Sequence, residues 1–147
     1  MKIALASDHA GFDVKEQIKV LLEKKGYQLD NFGNFNLEAV DYPDYAALAA
    51  QAVSDGYCRQ GILVCGSGIG MSIAANKIPG IRAALCHDHL TAVSCREHND
   101  ANILALGARL LGWNTIEDIV LTFLATPFSG EARHQNRIEK IAKLESR

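Results

Sequence analysis

The chain has 147 residues, 48% of them hydrophobic and 22% charged, with a formal net charge of −2. That length suits a single domain, residues 1–147, with a sizeable core. The balanced charge offers no footprint for nucleic acid or an anionic membrane, and no apolar run is long enough to span a bilayer.

Strand and helix signals alternate along the chain. Ile3 to Ser7 reads as a first strand, and Asp8 and His9 end an apolar stretch too short for a signal peptide. Val14, Ile18, Leu21 and Leu22 then share one helical face, with Gly26 as a stop. Tyr27 to Phe32 reads as a second strand and Gly33 to Asn36 as loop. Pro43 suits a first helical turn before an Ala-rich helix over Tyr45 to Val53. Gly61 to Cys65 is a near-continuous apolar run, as expected of a central parallel strand.

Gly66 to Gly70 reads as a tight turn into a short helix through Ala74 and Ala75. Ile81 to Cys86 is a fourth strand, His89 to Glu97 a helix, and Ile103 to Leu106 a fifth strand. Thr115, with Asp118 three residues on, resembles a capping box opening a helix whose core face is Ile116, Ile119, Val120, Phe123 and Leu124. A last helix runs from about Glu131 to Leu144. This order predicts an α/β fold: one Rossmann-like, doubly wound domain with a five-stranded parallel sheet covered on both faces. Ligands of such folds bind outside the carboxyl ends of the strands. Ser7-Asp8-His9, Cys65-Gly66-Ser67 and the stretch near His98 are expected there.

The expected compartment is the cytoplasm, where Cys58, Cys65, Cys86 and Cys95 stay reduced. They include no Cys-x-x-Cys pair, and most read as small buried apolar residues. Cys65 differs by its place directly before Gly66-Ser67-Gly68-Ile69-Gly70. Alternating glycines at a strand-to-helix turn let amide N–H groups converge on an anion. A thiolate at that point could take a carbon-bound proton while amides hold the oxygen that becomes negative. The spacing Gly-x-Gly-x-Gly is not the dinucleotide fingerprint.

Asp8 and His9 could bind sugar hydroxyls or phosphate, or simply form a turn. His98, followed by Asn99, is a candidate proton donor. Arg133 and Arg137 lie one helical turn apart, as suits a phosphate dianion, and a solvated basic face has the same spacing. Arg109 is a third cation. His87-x-His89 lacks a convincing third ligand, so no metal is expected.

Several segments together resemble the type B ribose-5-phosphate isomerase family, which also includes allose- and galactose-6-phosphate isomerases. They are Ser7 to Gly11, Asp41 to Tyr45, Cys65 to Gly70 with Ser72 to Lys77, Gly80 to Ala84, Arg96 to Asn102, and Arg133-His134-Gln135. The resemblance runs nearly end to end. It implies a homodimer or dimer of dimers without metal or organic cofactor, whose C-terminal helix reaches the partner subunit. By the same resemblance Cys65 is the proton-abstracting base and His98 assists ring opening. Asp8, His9, Gly66, Ser67, Gly68, Ile69, Gly70 and Asn99 match substrate-binding positions. Arg109, Arg133 and Arg137 match phosphate-binding arginines, some supplied across the dimer interface. Ser67 stands where many members have Thr, and the hydroxyl survives. Another branch uses a Glu where this chain has Met71, so this chain follows the cysteine route.

The expected activity is reversible conversion of D-ribose 5-phosphate and D-ribulose 5-phosphate through an enediolate. The alternatives are a six-carbon sugar-phosphate isomerase and a non-catalytic sugar-phosphate sensor, which would need neither Cys65 nor His98.

Overall fold

Alternation within single strands sets the two layers of this protein. The computed structural model describes residues 2–146. In β1 (Lys2–Ser7), Ile3 and Leu5 point to one face, and Ala4 and Ala6 to the other. The large side chains pack with α1 (Phe12–Lys24), α4 (His89–Glu97) and α5 (Trp113–Ala125), through Ile18, Leu22, Ala92, Ile116, Ile119 and Phe123. The alanines leave room for α2 (Tyr42–Ser54) to approach closely with Ala46, Ala49 and Ala50, beside α3 (Ile69–Ala75). Small faces in contact permit short interlayer distances without voids.

The remaining strands are β2 (Leu29–Gly33), β3 (Cys58–Cys65), β4 (Ala83–Leu85) and β5 (Ile103–Gly107). All pairings are parallel, in the order β2-β1-β3-β5-β4. The Gly61–Cys65 run is central and buried, flanked by β1 and β5. The expected five-stranded, doubly covered sheet is therefore the observed one.

Three boundaries differ, each for a local reason. Tyr27 belongs to the end of α1: its N–H donates to Leu22 O, and the Gly26 N–H to Glu23 O, with Gly26 at φ +86°. That is a Schellman cap, and it consumes the start of the expected strand. The fourth strand shrinks to three residues, because Ile81 N–H turns back to Ile78 O and Arg82 N–H goes to the Asn102 side chain. The Asn76 amide both donates to and accepts from Ala83, covering this sheet edge. Finally, α5 starts at Trp113 after Gly112, without a side-chain cap, and Asp118 faces His89 instead. The capping box lies on α4, between Asp88 and Thr91. The last helix, α6 (Ala132–Lys143), leads into a single 3-10 turn over Leu144–Ser146.

Candidate active site

The strand order places β1 and β3 side by side, while the helix after β1 (α1) covers one face of the sheet and the helix after β3 (α3) covers the other. A crevice opens at such a point beyond the carboxyl ends of the strands. Here it is an open cleft of about 640 Å³, lined by Asp8, His9, Tyr42, Cys65, Ser67 and Arg109 among others.

Cys65 is the last residue of β3 and is 4% exposed. Its carbonyl accepts from Ala108 N–H at 2.9 Å, and Gly66 O accepts from Arg109 N–H at 3.0 Å, which ties the loop to the end of β5. Two glycines make this course possible. Gly68 is left-handed, at φ +79°, where a side chain would also strike Leu85 and the Leu106 backbone. A Cβ on Gly107 would lie 2.6 Å from Ser67 O, so only glycine lets the loop cross β5 this closely.

The loop uses two of its own amides. Gly68 N–H donates to Cys65 Sγ at 3.1 Å, and Ile69 N–H donates to Ser67 Oγ at 3.2 Å. Two of the loop's amides are therefore engaged within the loop itself. The Gly68 amide meets the sulfur, an arrangement that suits negative charge on it.

The Asp8 carboxylate accepts from Gly11 N–H at 3.0 Å, so it braces the entry to α1 as well as lining the cleft. His9 Nδ1 accepts from Val40 N–H at 3.2 Å, which places the ring proton of the neutral tautomer on Nε2. The Arg109 side chain lies over Gly66, within 3.5 Å of where a Cβ would stand. Tyr42 was not among the predicted site residues, yet it lines the cleft and packs its ring on Gly70. The Asp41-Tyr42-Pro43 segment was its only signal in the sequence.

The other candidates form a second group elsewhere. His98 is the C-cap of α4, and Asn99 O accepts from Arg82 Nε, just ahead of β4. A helix between parallel strands returns the chain to the amino ends of the strands. His98 and Asn99 therefore sit at the amino ends of the strands, opposite Cys65, correcting their expected place at the carboxyl ends. The five residues of β5 separate the two ends by about 15 Å, at roughly 3.3 Å per residue.

His98 stacks on His134 of α6, with ring centroids 4.4 Å apart. His134 is buried, and its Nε2 has no hydrogen-bond partner. Burial, followed by the neighbouring His98, holds its pKa below the ordinary histidine value. Arg133 and Arg137 share the same helix and are exposed. Arg133 Nε lies 2.8 Å from its own Glu131. One chain thus brings together Cys65, Asp8, His9, the glycine loop and Arg109, and separately His98, Asn99, His134, Arg133 and Arg137.

Neither histidine of the His87-x-His89 segment joins either group: His89 Nδ1 is 3.1 Å from Asp118. Among the described residues, no three His, Cys, Asp or Glu side chains are grouped to hold a metal ion. All four cysteines are buried and free. Cys86 and Cys95 pack sulfur to sulfur at 3.7 Å, and burial raises the Cys58 thiol.

The chain as a whole has close counterparts among known proteins. The family model described as Ribose/Galactose Isomerase matches residues 3–141. Ribose-5-phosphate isomerase B of Escherichia coli is 43% identical, with 99% of this chain and 97% of that protein covered. The structure of ribose-5-phosphate isomerase B from Clostridium thermocellum superposes with a TM-score of 0.97 at 50% identity, covering 99% of this chain and 98% of the other. The type B ribose 5-phosphate isomerase of Trypanosoma brucei gives 0.95 at 53% identity, covering 98% of each. With the motifs, the sheet order and the full length all in agreement, this chain belongs to the ribose/galactose isomerase family.

Proposed function

We propose that this isomerase interconverts D-ribose 5-phosphate and D-ribulose 5-phosphate by proton transfer through an enediolate, at a site completed by a second copy of the chain. The observation that carries the chemistry is Cys65 Sγ at the mouth of the β1–β3 crevice, with an amide donor already on the sulfur. A positioned base beside preorganised donors is what abstraction of a proton next to a carbonyl requires.

In the aldose-to-ketose direction the ring opens first, with His98 relaying the proton between the ring oxygen and the anomeric hydroxyl. The Cys65 thiolate then removes the C2 proton, and the C2–H electron pair forms the enediolate. Remaining amides of the Gly66–Gly70 loop, with Asn99, hold the charged oxygen. Cys65 returns the proton to C1, and the proton between the two oxygens is exchanged. Ser67, Asp8 and His9 hold hydroxyls near the reacting carbons. Arg109, Arg133 and Arg137 anchor the phosphate, so binding energy far from the chemistry orients it.

The length of β5, about 15 Å, stands between Cys65 and His98 of the same chain, too far for direct proton transfer, so in this reading His98, Asn99 and the α6 arginines serve the cleft of the partner subunit. Two surfaces support that pairing. Ile69, Ile73 and Leu110 stand 52%, 59% and 60% exposed at the rim of the cleft, an apolar collar for a protein partner. The α6 helix buries only His134 and Ile138, leaving most of its surface available to a second copy. The enzyme works in the cytoplasm, where its thiols stay reduced.

The test is turnover of ribose 5-phosphate followed in both directions, beside free ribose and allose 6-phosphate. The expected result is rapid interconversion of the phosphorylated pentose, negligible action on free ribose, and kcat/KM at least about ten-fold lower for the longer sugar. Tight binding of ribose 5-phosphate without turnover would mean a sensor, and preference for the six-carbon ester would transfer the assignment to that substrate.

A further inference from the structure

Lys15 is a charged side chain with no exposure at all, inside the layer that carries the site. Its ammonium has three donors, and three acceptors meet them. They are Asn31 Oδ1 at 3.1 Å, the backbone carbonyl of Asn34, and the carboxylate of Glu16 at 3.2 Å. The rings of Phe12 and Phe35 lie 5.1 and 5.5 Å from Nζ. Burying an ammonium carries a large desolvation cost, which three partners and two aromatic faces offset. A methionine or leucine would fill this space without it, so the charge is a costly way merely to pack a helix.

What Lys15 holds leads into the cleft. Asn34 N–H donates to Ser7 O, the residue before Asp8. The Asn34 side chain accepts from Asn36 N–H and donates to Glu38 O, and Asn36 Oδ1 accepts from Glu38 N–H. Two residues on, Val40 N–H donates to His9 Nδ1. The 34–40 segment is thus fixed at one end by the buried ammonium and fixes the His9 ring at the other.

We propose that Lys15 is a positioning residue for substrate binding: through Asn34 it sets the 34–40 loop, whose Val40 amide keeps His9 with Nδ1 as acceptor and Nε2–H directed at the substrate. The sugar phosphate never touches Lys15. The proposal rests on His9 being a substrate contact, and the test separates the two.

Lys15→Met keeps the volume and removes the donors. The expected result is a folded protein whose KM for ribose 5-phosphate rises about ten-fold, the scale of one misplaced hydrogen bond, with kcat changed less than about three-fold. A purely structural role would instead lower the folded fraction, reducing apparent kcat and leaving KM intact. Nitrogen-15 spectra of the histidine side chains supply a readout without substrate: His9 is expected as the Nε2–H tautomer in the parent and as a mixture in Lys15→Met. In His9→Ala, adding Lys15→Met should raise KM no further. If Lys15→Met does not fold, the exposed Asn36→Ala cuts the same loop while leaving Lys15 untouched, and should reproduce the tautomer mixture with a KM rise of roughly three-fold. An unchanged KM and tautomer in whichever variant folds would overturn the proposal. An unchanged KM in His9→Ala would strike only the role of His9, since the tautomer spectra judge the relay independently.

Discussion

Cys65→Ala is expected to lower kcat for ribose 5-phosphate by about a thousand-fold, within the range a positioned general base supplies and equivalent to roughly 4 kcal/mol of barrier. The fold should survive. The substitution removes a single sulfur atom at a strand end, where deletions cost about 1 kcal/mol, and the loop keeps its ties from Cys65 O to Ala108 and from Gly66 O to Arg109. Met71, in the first turn of α3, is a buried thioether and cannot act as a base in its place. Turnover and thermal melting measured on the same preparation check both halves. Activity within a few-fold of the parent, in a protein that melts normally, would remove Cys65 from the mechanism.

The second large effect concerns the two separated groups. With the proposed dimer, Cys65→Ala and Arg137→Ala proteins should each be severely impaired, the latter by roughly a hundred-fold in kcat/KM through loss of a charged phosphate contact. In an isologous dimer each site would draw Cys65 from one copy and Arg137 from the other. A mixed dimer of the two variants then contains one site with both defects and one with neither, and should recover about half the parental activity. If Arg137 served its own chain, every site in the mixed dimer would carry one defect. Co-expression with two tags, followed by assay of the purified heterodimer, reads the difference. A stable heterodimer as inactive as its parents would argue for sites contained within one chain.

Much of this architecture was legible in the residues because it rests on local periodicity. The apolar Gly61–Cys65 run reads as a strand covered on both faces, whereas the large and small faces of Ile3–Ser7 emerge from the packing of the sheet. The Cys65 loop was legible because alternating glycines follow an apolar strand, whereas the steric need for glycine at 68 and 107 is visible only in the fold. The place of His98 was not. Its distance from β5 in sequence is short, and only the return direction of α4 puts it at the amino ends of the strands. His134 was equally hidden, since a stacking partner leaves no periodic mark. Tyr27 was misassigned because its apolar character resembles a strand, while its backbone is committed to the cap of α1. Asp118 matched a capping spacing by coincidence and spends its carboxylate on His89.

The most direct measurement is isomerisation of ribose 5-phosphate in deuterium oxide with a chelator present, followed by mass and NMR analysis of the sugar. Proton transfer by Cys65 predicts ribulose 5-phosphate carrying solvent deuterium at C1, recovered aldose carrying it at C2, turnover indifferent to the chelator, and loss of both exchange and turnover in Cys65→Ala. Complete retention of the substrate hydrogen, with turnover that persists in Cys65→Ala, would contradict an enediolate made by this cysteine.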